Sequence, residues 1–150
     1  MTGLKRSRTR LLVVAATILS LTALALASAA WASSPRSGAL VVTKECSGYT
    51  GLAGSFCTIT SSNLPAIEVG SRINYLQPAD LFTSAGSDVV LDTPRPGNNK
   101  AFGNCSLGLG HCTFWGGTGL FTWFHASVVV SVDSTGLWHW EGTYSFSPRD

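Results

Sequence analysis

The chain is poor in charge. Asp, Glu, Lys and Arg make up 12 % of its 150 residues, and four of the ten basic ones (Lys5, Arg6, Arg8 and Arg10) crowd the amino terminus. From Ser33 onward, six basic residues face eight acidic ones, a net charge of −2. Such a surface cannot neutralise a row of phosphates, which excludes nucleic acid as a partner. No window carries a sustained apolar stripe at helical spacing, so nothing points to an amphipathic-helix domain. The four cysteines include no C-x-x-C pair, so the usual ligand spacing of a zinc site is missing, and no metal or other cofactor is expected. There is no G-x-S-x-G elbow to present a nucleophilic serine. The glycine-rich run Gly116-Gly117-Thr118-Gly119 lacks the G-K-[ST] ending of a phosphate loop and leads into a strand rather than a helix.

What is present begins with an export signal. Behind the basic start an apolar run extends over 11–30, broken only by Thr17, Ser20, Thr22 and Ser28, and ends in small residues around one ring, Ala29-Ala30-Trp31-Ala32-Ser33. A basic start, an apolar middle and a small-x-small exit are the parts of a secretory signal. Ala30-Trp31-Ala32 fits the cleavage pattern, with Ala27-Ser28-Ala29 as a weaker candidate, so residues 1–32 read as a signal peptide and 33–150 as one exported domain. The run is long enough to span a bilayer as an uncleaved anchor; its dilution by Ala, Ser and Thr and the position of the small residues favour cleavage. No twin-Arg pair is present, which favours export of an unfolded chain. The expected location is outside the cell or in the periplasm, with no membrane attachment after cleavage.

The exported part is long enough for a single core. Short β-branched and aromatic runs alternate in it with Gly/Pro/Asn/Ser clusters, the pattern of an all-β sandwich or barrel. Strands are expected over 39–45, 56–62, 71–76, 88–91, 101–107, 110–115, 121–132 and 138–146. Residues 80–87 read as a loop or a short helical turn, and 93–100, with Pro94, Pro96 and Gly97, as a loop. An even cysteine count in a small exported domain reads as two disulfides. Three connectivities exist; Cys46–Cys57 and Cys105–Cys112 are favoured because each pair brackets one expected hairpin.

Two hairpins can be argued by register. Gly108-Leu109 is a type II′ turn signal, and it sets Cys105 opposite Cys112. Ser134-Thr135-Gly136 reads as a three-residue hairpin loop whose last residue takes the left-handed conformation. It pairs Val132 with Trp138, Val130 with Trp140, Val128 with Gly142, Ala126 with Tyr144 and Phe124 with Phe146. The opposite face carries Ser131 by His139, Val129 by Glu141, Ser127 by Thr143 and His125 by Ser145. One apolar and one mostly polar face is the mark of a half-buried sheet.

Each candidate for chemistry has a plainer alternative. His139 and Glu141, beside Ser131, form a possible acid/base pair; lying opposite the aromatic face, they read as a solvated outer pair. His111 and His125 stand without carboxylates nearby in sequence and read as surface or rim residues. Asn104-Cys105-Ser106 matches a glycosylation sequon, weakened by its central cysteine. The tryptophans are the strongest hint: Trp115, Trp123, Trp138 and Trp140, with Tyr144, are the candidate ligand-binding residues. For Trp138 and Trp140 the favoured reading is that they fill the interior of the β domain.

Gly116-Gly117-Thr118-Gly119-Leu120-Phe121, followed by an aromatic/Ala/Val run, resembles the allene oxide cyclase and dirigent barrel superfamily, and more closely the uncharacterised bacterial exported proteins of that barrel type. Cys57-Thr58-Ile59-Thr60-Ser61-Ser62-Asn63-Leu64 and Trp140-Glu141-Gly142-Thr143-Tyr144-Ser145-Phe146 look like theirs. The likeness spans 39–147 and is most specific over 105–146. It implies an eight-stranded antiparallel β-barrel with an apolar interior. His125 and Ala126 stand where many dirigents have Arg and Gly, and the charged and polar interior residues on which the cyclases and lignan-forming dirigents rely are not matched residue by residue. The expected function is therefore non-catalytic binding of a small apolar or sugar ligand. The resemblance implies an alternative, an isomerase, cyclase or stereochemical guide acting in the cavity; a filled interior leaves a purely structural extracellular role.

Overall fold

The structure, a computed structural model, describes residues 36–79, 82 and 85–148. The expected signal peptide 1–32 lies outside the described residues, as do 80, 81, 83 and 84 of the segment read as ambiguous. Among the described residues no helix is long and apolar enough to cross a membrane.

Eight strands follow one another as a meander: β1 (Ser37–Glu45), β2 (Phe56–Ser62), β3 (Arg72–Tyr75), β4 (Ser87–Asp92), β5 (Lys100–Ser106), β6 (His111–Gly117), β7 (Phe124–Val132) and β8 (Trp138–Phe146). Each pairs antiparallel with the next, and β8 returns to β1 from Ser37↔Ser145 to Lys44↔Trp138, closing the barrel. Closure leaves no sheet edge open to another chain. Alternation then decides what is inside. Leu40, Val42 and Lys44 of β1, Val89 and Leu91 of β4, and Phe124, Ala126, Val128 and Val130 of β7 are buried, while most of their neighbours are at least partly exposed.

The closing ribbon has the register read from the sequence, from Phe124↔Phe146 through Val130↔Trp140 to Val132↔Trp138. Its loop is anchored by Asp133, whose Oδ1 accepts from the Thr135 and Leu137 amides, and Gly136 takes the left-handed φ of 84°. Trp140 is 0 % exposed and Tyr144 8 %. Val132 departs from the expected apolar face: it is the last residue of β7 and is 52 % exposed. Inside, rings touch in series, Trp140 to Phe114 at 5.5 Å, Phe114 to Phe124 at 6.0 Å and Phe124 to Phe121 at 5.2 Å. Burying such side chains contributes roughly 1.5–3 kcal/mol each.

Both favoured disulfides are formed, Cys46–Cys57 and Cys105–Cys112. Cys105 and Cys112 face each other directly across β5 and β6. The turn beyond them differs from expectation. It is a four-residue loop over 107–110 in which the Gly110 amide donates to the Leu107 carbonyl at 3.1 Å and the positive φ falls on Gly110 (62°), not on Gly108. The register survives because Gly108-Leu109 remains the centre of the loop.

A second correction concerns the strand expected over 121–132, which begins only at Phe124. Gly119–Phe121 form a 3₁₀ turn instead, fastened by Asn99, whose side-chain oxygen accepts from the Leu120 amide at 3.1 Å. The turn swings Phe121 inward as a fully buried plug. The opposite end of the barrel is covered by the β1–β2 loop, where Tyr49 meets Tyr75 edge-on at 4.7 Å and its hydroxyl donates to the Ala79 carbonyl.

Candidate functional site

Two places on this frame combine residues of chemical interest, at opposite ends of the barrel. The first is an outer groove of about 290 Å³ lined by Trp115, Gly116, Gly117, Thr122, Trp123 and His125. A second groove of about 230 Å³ adjoins it through His125 and is lined further by Ala126, Ser127, Thr143, Tyr144 and Ser145. Backbone irregularity sets both tryptophans. Along β6 the pairing slips by one between Phe102↔Gly116 and Gly103↔Phe114, which leaves Trp115 as the extra residue of a bulge. Bulges bend a strand locally and re-aim its side chains. Trp123 sits at φ 63°, the only non-glycine residue with positive φ among those described. That conformation costs a bulky residue roughly 1–2 kcal/mol. The result is two indoles in water, Trp115 43 % and Trp123 55 % exposed.

The second place is inside. Lys44 ends the inward series Leu40, Val42, Lys44 and is 0 % exposed. Its Nζ donates to the Tyr75 hydroxyl at 3.1 Å and lies 4.7 Å from the Trp140 ring centroid and 5.9 Å from that of Trp138. No ion pair joins it to a carboxylate among the described residues. Burial therefore brings its pKa from the ordinary 10.5 down to about 7. Tyr75 is pushed the other way, first by burial and then by Tyr49, so its hydroxyl keeps its proton. The Trp140 Nε1–H is buried with no acceptor. A bulge lies here too: between Thr43↔Ser61 and Lys44↔Ile59 the pairing slips by one, leaving Thr60 as the extra residue of β2.

The five ligand-binding candidates thus divide. Trp115 and Trp123 share the outer groove. Trp140 is interior filling, Tyr144 is buried but reaches the lining of the adjoining groove, and Trp138 is half-buried beside Lys44. His139 is on the outer face, its Nε2 at 2.8 Å from Asp133 Oδ2, and Glu141 is exposed. The Asp133 carboxyl is held well below its usual range, first by the Thr135 hydroxyl and then by His139. This cluster fastens a hairpin loop. His111 Nε2 meets Ser127 Oγ at 3.0 Å, and Asn104 of the sequon donates to Asp88 Oδ1 at 3.1 Å. Among the described residues no group of His, Cys, Asp and Glu is placed to hold a metal.

Lys44 and Tyr75 were not singled out from the sequence. The signal was present: a strand over 39–45 with Leu40 and Val42 inward puts Lys44 inward as well. The ordinary expectation that lysine is exposed hides it.

Comparison with family models, with curated proteins and with solved structures gives no match to this chain.

Proposed function

We propose that the protein is an exported, non-catalytic binding barrel that takes a neutral carbohydrate on the outer groove around Trp115, Trp123 and His125. One observation carries the reading. Two indoles stand in water at one end of a closed barrel, one on a bulge and the other in a costly left-handed conformation. Backbone strain persists where the surrounding structure enforces it, and it gathers at functional sites.

The chemistry of the lining selects among ligands. Trp115 and Trp123 offer flat apolar faces, while Thr122, Ser127, Thr143, Ser145 and His125 offer short polar groups. A pyranose has the matching character, C–H faces and a rim of hydroxyls. A purely apolar ligand would cover the hydroxyls and the imidazole without compensation. No Lys, Arg, Asp or Glu lines either groove, so a charged ligand finds no counter-charge. General acid/base chemistry needs a positioned pair, and His125 has no carboxylate beside it in the grooves.

Export is part of the proposal. The basic, apolar and small-residue order of the first 32 residues supports it, and so do two disulfides, which persist in oxidising compartments. Kinship with the allene oxide cyclase and dirigent superfamily is likewise proposed. The closed eight-stranded barrel is the architecture that the resemblance implies, and it brings no mechanism with it.

Calorimetry and tryptophan fluorescence against neutral oligosaccharides, with apolar ligands in parallel, test the reading. Trp115→Ala and Trp123→Ala are each expected to weaken saccharide binding by about 2 kcal/mol, some 30-fold, as central aromatic anchors do. Saccharide binding untouched in the double variant, or saturable binding of apolar ligands alone, refutes it.

A further inference from the structure

The outer groove makes no use of Lys44. A lysine buried among rings without a carboxylate is rare, because the charged form loses its hydration with nothing to replace it. Residues kept at such a cost are candidates for function. Around Lys44 the barrel brings together Tyr75 from β3, whose hydroxyl lies 3.1 Å from Nζ, and Trp138 and Trp140 from β8. Ile59 of β2 is its cross-strand partner, Tyr49 of the cap lies behind Tyr75, and Glu45, next in β1, points away to the outside. These are an amine, a hydroxyl that holds its proton, and aromatic walls.

We propose that the capped end of the barrel is a covalent site for an apolar conjugated aldehyde, with Lys44 as the nucleophile. The Nζ lone pair attacks the carbonyl carbon. The C=O π electrons pass to oxygen, which takes a proton from the Tyr75 hydroxyl; the nitrogen gives up a proton in turn, restoring Tyr75, and a carbinolamine is formed. Loss of water from it gives the imine. Overall, amine and aldehyde yield imine and water, with no oxidant or reductant. The indoles of Trp138 and Trp140, whose ring centroids lie 5.9 and 4.7 Å from Nζ, suit a planar conjugated chain. Near pH 7 about half of such an amine is neutral, against roughly one part in a few thousand for an ordinary lysine.

The way in is the seam at which Tyr75 sits. β3 is four residues long and pairs with β2 over Phe56–Thr58, with Tyr75 held to the cap by two backbone bonds, its amide to the Ser55 carbonyl at 2.9 Å and the Gly54 amide to its carbonyl at 2.7 Å, whereas β7 and β8 pair along their whole length. Local opening begins where pairing is shortest. The cap over that seam, residues 46–55, contains Gly48, Gly51 and Gly54 and exposes Leu52.

Lys100 supplies an internal reference, since its side chain is 41 % exposed and 3.5 Å from Asp92. The purified protein is treated with trans-cinnamaldehyde and cyanoborohydride at pH 7, and the adducts are located by peptide mass spectrometry. Lys44 is expected to be labelled at least tenfold faster than Lys100 in the native protein, and at the same rate in 8 M urea. Tyr75→Phe is expected to slow labelling of Lys44 severalfold and leave Lys100 unchanged. Labelling of Lys100 at a rate equal to or above that of Lys44 in the native protein overturns the proposal. So does labelling of Lys44 that sets in only once tryptophan fluorescence reports global unfolding.

Discussion

Replacing Lys44 by methionine should stabilise the protein at neutral pH and lose that advantage as the pH rises. The unfolded chain binds a proton at this lysine with the ordinary pKa of 10.5, and the folded barrel only with a pKa of about 7. The full separation corresponds to about 5 kcal/mol. Below pH 7 both states are protonated and the folded state carries the whole cost. Between pH 7 and 10.5 the unfolded state binds the extra proton, so stability rises with pH, by at most about 1.4 kcal/mol per unit. Tyr75 acts oppositely. Its hydroxyl is held protonated in the fold, so it subtracts stability once the unfolded phenol ionises, near pH 10. The clean window is therefore pH 7 to 9.5, over which the wild type should gain about 3 kcal/mol that Lys44→Met does not. Methionine leaves the Tyr75 hydroxyl without its partner, a cost of about 1–3 kcal/mol. The variant should thus be ahead by about 2 kcal/mol at pH 7 and level or behind at pH 9.5. Urea unfolding followed by tryptophan fluorescence at both pH values measures the difference. A wild-type-to-variant difference that does not change with pH would show that Lys44 keeps an ordinary pKa, and the account of a desolvated amine would fail.

Two further predictions use the same assay or hydrogen exchange. At position 123 the usual preference for alanine over glycine should be reversed. Both Trp123→Ala and Trp123→Gly lose the ring, but only alanine keeps a Cβ at φ 63°, so the glycine variant should be the more stable by about 1 kcal/mol; equal stabilities would mean that the left-handed turn relaxes. Removing Cys46–Cys57 or Cys105–Cys112 as alanine pairs should cost about 3 and 2.5 kcal/mol respectively from loop closure. Loss of Cys46–Cys57 should also quicken amide exchange at Tyr75 and Lys44 while leaving β8 protected, and a uniform acceleration would argue against an independently opening cap.

Much of the fold could be read wherever several local rules agreed. In the final ribbon the turn glycine, the period-2 alternation and the large-against-small pairing of Trp140 with Val130 all select one register, and that register is found. At Cys105 and Cys112 the structure has the expected register with a different turn, because cysteine spacing and loop centre fix the pairing without fixing which glycine turns the chain. The pattern Phe121-Thr122-Trp123-Phe124 alternates as a strand does, yet the strand begins at Phe124. What ends it is tertiary: a side-chain amide from a distant loop, Asn99, fastens a 3₁₀ turn there.

The candidate sites lie where these rules conflict. Alternation places Lys44 inside and hydration places it outside; extended geometry suits Trp123 and the observed backbone denies it. A sequence under no constraint but folding would remove both conflicts by single substitutions, Lys44 to a hydrophobe and Trp123 to glycine. Local rules broken at a net cost mark functional positions. The two costs are also separable, because the residues sit at opposite ends of a closed barrel and share no contact. Removing one should therefore leave the other's effect on stability unchanged to within about 0.5 kcal/mol, as for independent sites. A Lys44→Met/Trp123→Gly double variant tests this directly. Additive stabilities, with saccharide binding lost only through Trp123 and aldehyde labelling lost only through Lys44, would establish two sites. A coupling well above that limit would mean that the ends communicate through the aromatic series of Trp140, Phe114, Phe124 and Phe121, and that the groove and the buried amine serve one activity.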